Sequence, residues 1–111
     1  MIDLLKEKPR TFEVNNIQIK DFGKIILEKN EMVSFKTNSN KEYDFVAKEW
    51  GFYATPSING RLKKEGFKTA LVKNSFKKYY INVVDIDKMD SFLKYLKQEN
   101  SSIVEWMDER R

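Results

Sequence analysis

Ser57, Asn59, Gly60 and Arg61 stand almost side by side, and together these residue types could hold an anion. Ser57 offers a hydroxyl, Asn59 an amide, Gly60 a backbone that a ligand can approach closely, and Arg61 a planar fork for phosphate or carboxylate. They follow Thr55-Pro56, which reads as a helix entry: Thr55 can cap, and Pro56 suits a first helical position. The start of a helix presents unpaired N–H groups and a partial positive charge. Lys64 adds a cation, while Trp50 and Tyr53 offer rings on which a base or sugar could stack. The expected ligand is a phosphorylated metabolite, a nucleotide or a nucleotide sugar. Neither G-x-G-x-x-G nor G-x-x-x-x-G-K-[ST] is present. The plainer alternative is a short surface helix in which Ile58 and Leu62, four apart, pack on a core.

A second constellation lies just downstream. Lys73, Phe76, Lys77 and Lys78, with Lys68 before them and Tyr79 and Tyr80 after, place aromatic rings among lysines. Bases stack on such rings while the lysines neutralise phosphates, so single-stranded nucleic acid is the alternative ligand. Against it stands a hairpin loop with solubilising charges and Phe76 folded onto the sheet. Asp44 and Glu49, beside aromatic residues, could act as an acid or base if burial raised their pKa. Asp85 and Asp87 offer too few oxygens for a hard cation, and Asp87 reads as a helix cap. Among the remaining aromatics, Phe52 and Trp106 are assigned to the core, and Trp50 or Tyr53 to the surface.

The chain contains no histidine and no cysteine. Imidazole bases, thiolate nucleophiles, disulfides and His- or Cys-based metal sites are therefore excluded. No catalytic residue, metal or cofactor is assigned, and a non-enzymatic role is expected. The net charge is +4, unevenly distributed. Arg61, Lys63, Lys64, Lys68, Lys73, Lys77 and Lys78 form a basic stretch, whereas Asp85 to Glu109 is mainly acidic. The basic stretch could bind anions, or the two halves could attract each other across the fold. No apolar run reaches the roughly 20 residues that cross a bilayer, and the first residues lack the pattern of a signal peptide. A cytoplasmic protein is the expectation.

One domain spanning 1–111 is expected from the length. A short helical turn is expected over residues 1–8, ended by Pro9. Alternating apolar residues from Thr11 to Lys20, interrupted by Asn15-Asn16, predict two short strands and a turn. Lys24–Lys29 and Glu31–Thr37 flank Asn30 as a hairpin, and Glu42–Trp50 follows with Tyr43, Phe45 and Ala47 facing inward. A helix over 56–65, stopped by Gly66, leads to a hairpin of Phe67–Lys73 and Tyr79–Asp85. Met89, Phe92, Leu93 and Leu96 give one apolar stripe to a helix over 87–99, and Ser102 with Glu105 makes a capping box for a final helix over 103–109.

The predicted class is α+β: a small, mostly antiparallel sheet formed by an N-terminal meander and a later hairpin, a short helix between them, and C-terminal helices on one sheet face. No crossover helix of normal βαβ length is expected. Three roles remain: an anion-binding domain at residues 50–68, a protein-interaction or homodimerisation module using exposed aromatics, and nucleic-acid binding through residues 61–78.

Overall fold

The computed structural model describes residues 2–4 and 9–111. Among these described residues, ten strands and two α-helices follow in an α+β arrangement, and the strand pairings described below are antiparallel. Contacts divide the chain into two compact units, one of residues 1–33 and 46–53, the other of residues 34–45 and 54–111.

In the first unit, β1 (Ile2–Leu4) pairs with β4 (Gly23–Ile25), and β2 (Arg10–Val14) pairs with β3 (Ile17–Asp21). Residues 2–4 are thus a strand rather than a helical turn. The remainder of the turn expected over 1–8 lies outside the described residues. Asn15 and Asn16 both take positive φ, as a tight two-residue hairpin turn requires. Asn30 also turns with positive φ, but the expected hairpin around it does not form. β4 is drawn to β1, while the amide of Asn30 donates to the Ala47 carbonyl. A three-stranded sheet has the order β5-β6-β7, from β5 (Met32–Lys36), β6 (Glu42–Lys48) and β7 (Gly51–Ala54).

The second unit holds the core. β8 (Phe67–Lys73) lies between β9 (Tyr79–Asp85) and β10 (Ser102–Trp106), antiparallel to both. β9 and β10 are therefore parallel to each other, and α2 (Met89–Gln98) carries the chain from one to the other across β8. This split βαβ crossover was not anticipated, because the sequence reads residues 103–109 as a helix. Only Met107–Glu109 turn helically, in a single 3₁₀ turn. The β8–β10 register shifts between Ile103 and Glu105, so a bulge at Val104 breaks the alternation and lets Ile103 and Trp106 both reach the core. That three-residue spacing imitates a helix.

Ala70 and Val72 of β8 meet Leu96 of α2, with Phe92, Ile103 and Trp106 packed around them. Leu62, Phe67 and Val84 are also buried. Leu93 is not: at 48% exposure it faces away, and the stripe on α2 narrows to the side carrying Phe92 and Leu96. Leu96→Ala should therefore cost about 2–5 kcal/mol in urea unfolding, whereas Leu93→Ala should cost less than about 1 kcal/mol.

Candidate functional site

The chain leaves β7 at Ala54, and the Thr55 amide is tied to the Asp44 carbonyl. Helix α1 (Arg61–Glu65) begins later than Thr55-Pro56 suggests, and Gly60 occupies the cap position. Ser57 organises the entry. Its carbonyl accepts from the amides of Gly60 and Leu62, and its Oγ accepts from the Arg61 amide at 3.3 Å. The amides of Gly60, Arg61 and Leu62 thus have their partners on Ser57. A Cβ added at Gly60 would stand 2.4 Å from Ser57 Oγ, so the close approach that needs this glycine is internal. At the other end Gly66 takes φ 106°, a left-handed cap that favours glycine.

Arg61 is likewise turned onto the protein. Nη2 donates to Thr55 Oγ1 at 2.9 Å and Nη1 to Asp44 Oδ2 at 3.4 Å. Asp44 is buried although the strand pattern places it outside, with Tyr43 and Phe45 on the covered side. Its other oxygen accepts from Ser34 Oγ at 2.5 Å. The Ser34 hydroxyl first, then Glu42 and Arg61, outweigh burial and hold this carboxyl below its usual range. Asn59 and Lys64 are exposed. Trp50 and Tyr53, in the other unit, stack with ring centres 6.1 Å apart, and both are exposed. Phe52, assigned to the core by the sequence, is instead 72% exposed, whereas Trp106 packs on the core as expected.

The basic stretch is partly neutralised from within. Lys68 reaches Glu109 at 2.5 Å and Asp108 at 3.1 Å, and its ammonium lies 4.9 Å from the centre of the Trp106 ring. The bond to Glu109 is the main reason its pKa is raised. Burial pushes Asp108 upward, but the Thr69 amide and Lys68 prevail and hold it below its usual value. Lys68 is thus engaged in ion pairs within the chain. Lys41, which the sequence did not single out, pairs with Asp85 at 2.5 Å and Asp87 at 3.1 Å. With Ser39 it draws Asp85 down to about 2. Asp85, not Asp87, caps the helical turn after β9 by accepting from the Asp87 amide.

Lys73, Phe76, Lys77 and Lys78 stand apart from these clusters, at the tip joining β8 and β9. Asn74 Oδ1 accepts from the amides of Phe76 and Lys78, and Lys77 takes a positive φ. This tight turn sets Phe76 80% exposed rather than folded onto the sheet. Lys73 lies over the Tyr79 ring at 6.0 Å, and Tyr80 is exposed.

Two further features were not legible as sites. A groove of about 280 Å³ between β9 and α2 is lined by Val83, Val84, Phe92 and Tyr95, with Asp85, Lys88 and Ser91. In the β2–β3 ribbon, Phe12 lies opposite Ile19 and Val14 opposite Ile17. Directly opposed residues share a face, so these four form one apolar surface, and all are exposed. The Arg10–Asp21 ion pair closes its end. Among the described residues, no group of three or more Asp, Glu, His or Cys is placed to hold a metal ion, and no helix is long and apolar enough to cross a membrane. The chain matches no family model, no curated protein and no solved structure.

Two outcomes test this geometry. Gly60→Ala should destabilise by about 1 kcal/mol, because its methyl displaces Ser57 Oγ from the Arg61 amide; in a Ser57→Ala background the same change should lose that penalty, as urea unfolding of the four variants will show. For Asp85 the folded pKa of about 2 lies below the ordinary 3.8. Its contribution to stability is complete above the ordinary value and drains as pH falls through the folded one. Thermal melts from pH 5 to pH 2 should therefore fall less steeply for Asp85→Asn than for the parent.

Proposed function

We propose that this chain is a protein-interaction module that works by self-association. The observation that supports this most is where the apolar side chains lie. The buried hydrophobic residues, Leu62, Phe67, Ala70, Val72, Val84 and Leu96, all belong to the second unit. The described residues of the first unit include none, and its amphipathic ribbon turns Phe12, Val14, Ile17 and Ile19 to the surface. A two-stranded ribbon is marginal by itself, and units of about 40 residues usually need disulfides, metals or oligomerisation. Cysteine is absent, so no disulfide secures the ribbon, and a covering partner would. Exposed apolar strands at Tyr79–Val83 repeat the pattern in the second unit. The leading expectation from the sequence, an anionic ligand at residues 50–68, has less support, since Arg61 and the amides of Gly60, Arg61 and Leu62 have partners within the chain.

Nucleic-acid binding at the β8–β9 tip is a second reading, favoured by the exposure of Phe76 among Lys73, Lys77 and Lys78. It requires binding to a single-stranded oligonucleotide that weakens with salt and is lost in Phe76→Ala.

Self-association is tested by sedimentation velocity from micromolar to hundreds of micromolar protein. The expected result is an oligomer whose fraction rises with concentration, together with a melting temperature that rises in parallel. A monomer with a concentration-independent melt would overturn the reading.

A further inference from the structure

β9 is the outermost strand of its sheet, with β8 as its hydrogen-bonded neighbour. Tyr79-Tyr80-Ile81-Asn82-Val83-Val84-Asp85 is long, rich in aromatic and β-branched residues, and free of proline and lysine. Tyr79, Tyr80, Ile81 and Val83 are exposed. Soluble proteins ordinarily blunt such an edge with charges, proline or a bulge, because its unpaired backbone invites another strand.

The ladder shows which backbone groups are unpaired. Asn74 donates to Lys78 at one end, and Ile86 to Gly66 at the other. Hydrogen-bonded and non-bonded pairs alternate between them along the β8–β9 register. Tyr80, Asn82 and Val84 therefore bond to β8. Tyr79, Ile81, Val83 and Asp85 turn their N–H and C=O groups to the open edge.

We infer that β9 pairs antiparallel with β9 of a second copy, about a two-fold axis at Asn82. This rests on the self-association proposed above and names an interface for it in the second unit, at the exposed strand Tyr79–Asp85. The register pairs the whole strand. It sets Ile81 against Val83 of the partner subunit and Tyr79 against Asp85 of the partner subunit, so the outward-facing backbone groups meet one another. No like charges stand opposite. Just beyond the strand, Lys77 comes level with Asp87 of the partner subunit, and the Asp87 side chain is largely exposed. The groove between β9 and α2 gains an occupant in the same register. Tyr80 and Val84 share the α2 side of the sheet with Ala70 and Val72. Opposite Val84 stands Tyr80 of the partner subunit, whose ring meets the groove wall of Val84, Phe92 and Tyr95. A face that matches itself in this way defines an isologous, closed dimer.

Three variants test the interface. Ile81→Pro removes an N–H that faces the open edge and leaves the β8–β9 bonds intact, so it should keep the parental circular dichroism and sediment as a monomer. Ile81→Lys should weaken the dimer at least tenfold without using proline. Asn82→Cys gives an otherwise cysteine-free chain one thiol at the axis, where opposed residues in a non-bonded pair are close enough for a disulfide. It should oxidise readily to a covalent dimer, and Thr11→Cys, on the polar face of the β2–β3 ribbon, should not. A parent that is monomeric throughout overturns both this inference and self-association. A parent dimer that Ile81→Pro and Ile81→Lys leave intact, with no faster crosslinking at Asn82→Cys than at Thr11→Cys, overturns the β9 interface alone.

Discussion

A strand has two hydrogen-bonding edges, and in the sheet of β10, β8 and β9 only β8 has both of them filled. The rest of the second unit follows from that pairing. Because β9 and β10 run antiparallel to β8 on opposite sides, the connection between them must cross one face of the sheet. Helix α2 is that connection. It lays Phe92 and Leu96 over Ala70 and Val72, and this contact makes the core. The same topology leaves β9 outermost. The arrangement that closes the core on one face thus opens an apolar backbone edge at its side.

Charge supports this frame more than it advertises a ligand. The basic and acidic stretches meet where Lys68 joins Asp108 and Glu109. Lys41 fastens the end of β9 through Asp85, and Arg61 accompanies the buried Asp44. Buried or half-buried carboxylates persist because each has donors that outweigh its loss of water. The cations at the β8–β9 tip, Lys77 and Lys78, take part in none of these clusters. They flank the open strand that the proposed dimer would cover.

Much of the fold was legible because asparagine and glycine punctuate it. Asn15-Asn16, Asn30, Gly66 and the Asn74–Lys78 tip are turns or caps in the structure, and several take the positive φ that these residues tolerate. The errors have physical causes. The Val104 bulge spaces Ile103 and Trp106 like helical neighbours and disguises β10. Leu93 belongs to the periodic stripe, but a sheet only three strands wide covers the side of α2 that carries Phe92 and Leu96. At the expected anion site, Ser57 accepts from the Arg61 amide and Arg61 donates to the side chains of Asp44 and Thr55, partners that spacing alone cannot reveal. The open edge of β9 was equally hidden, because a strand becomes an edge only when the whole strand order is known.

Amide hydrogen exchange along β9, followed by NMR at dilute and concentrated protein, tests the central claim most directly. Tyr80, Asn82 and Val84 face β8 and should be protected at both concentrations. Tyr79, Ile81 and Val83 face the open edge, so they should exchange rapidly when dilute and become protected as the second copy pairs with them. Rapid exchange at those three positions at every concentration, beside protected even-numbered neighbours, would contradict the account.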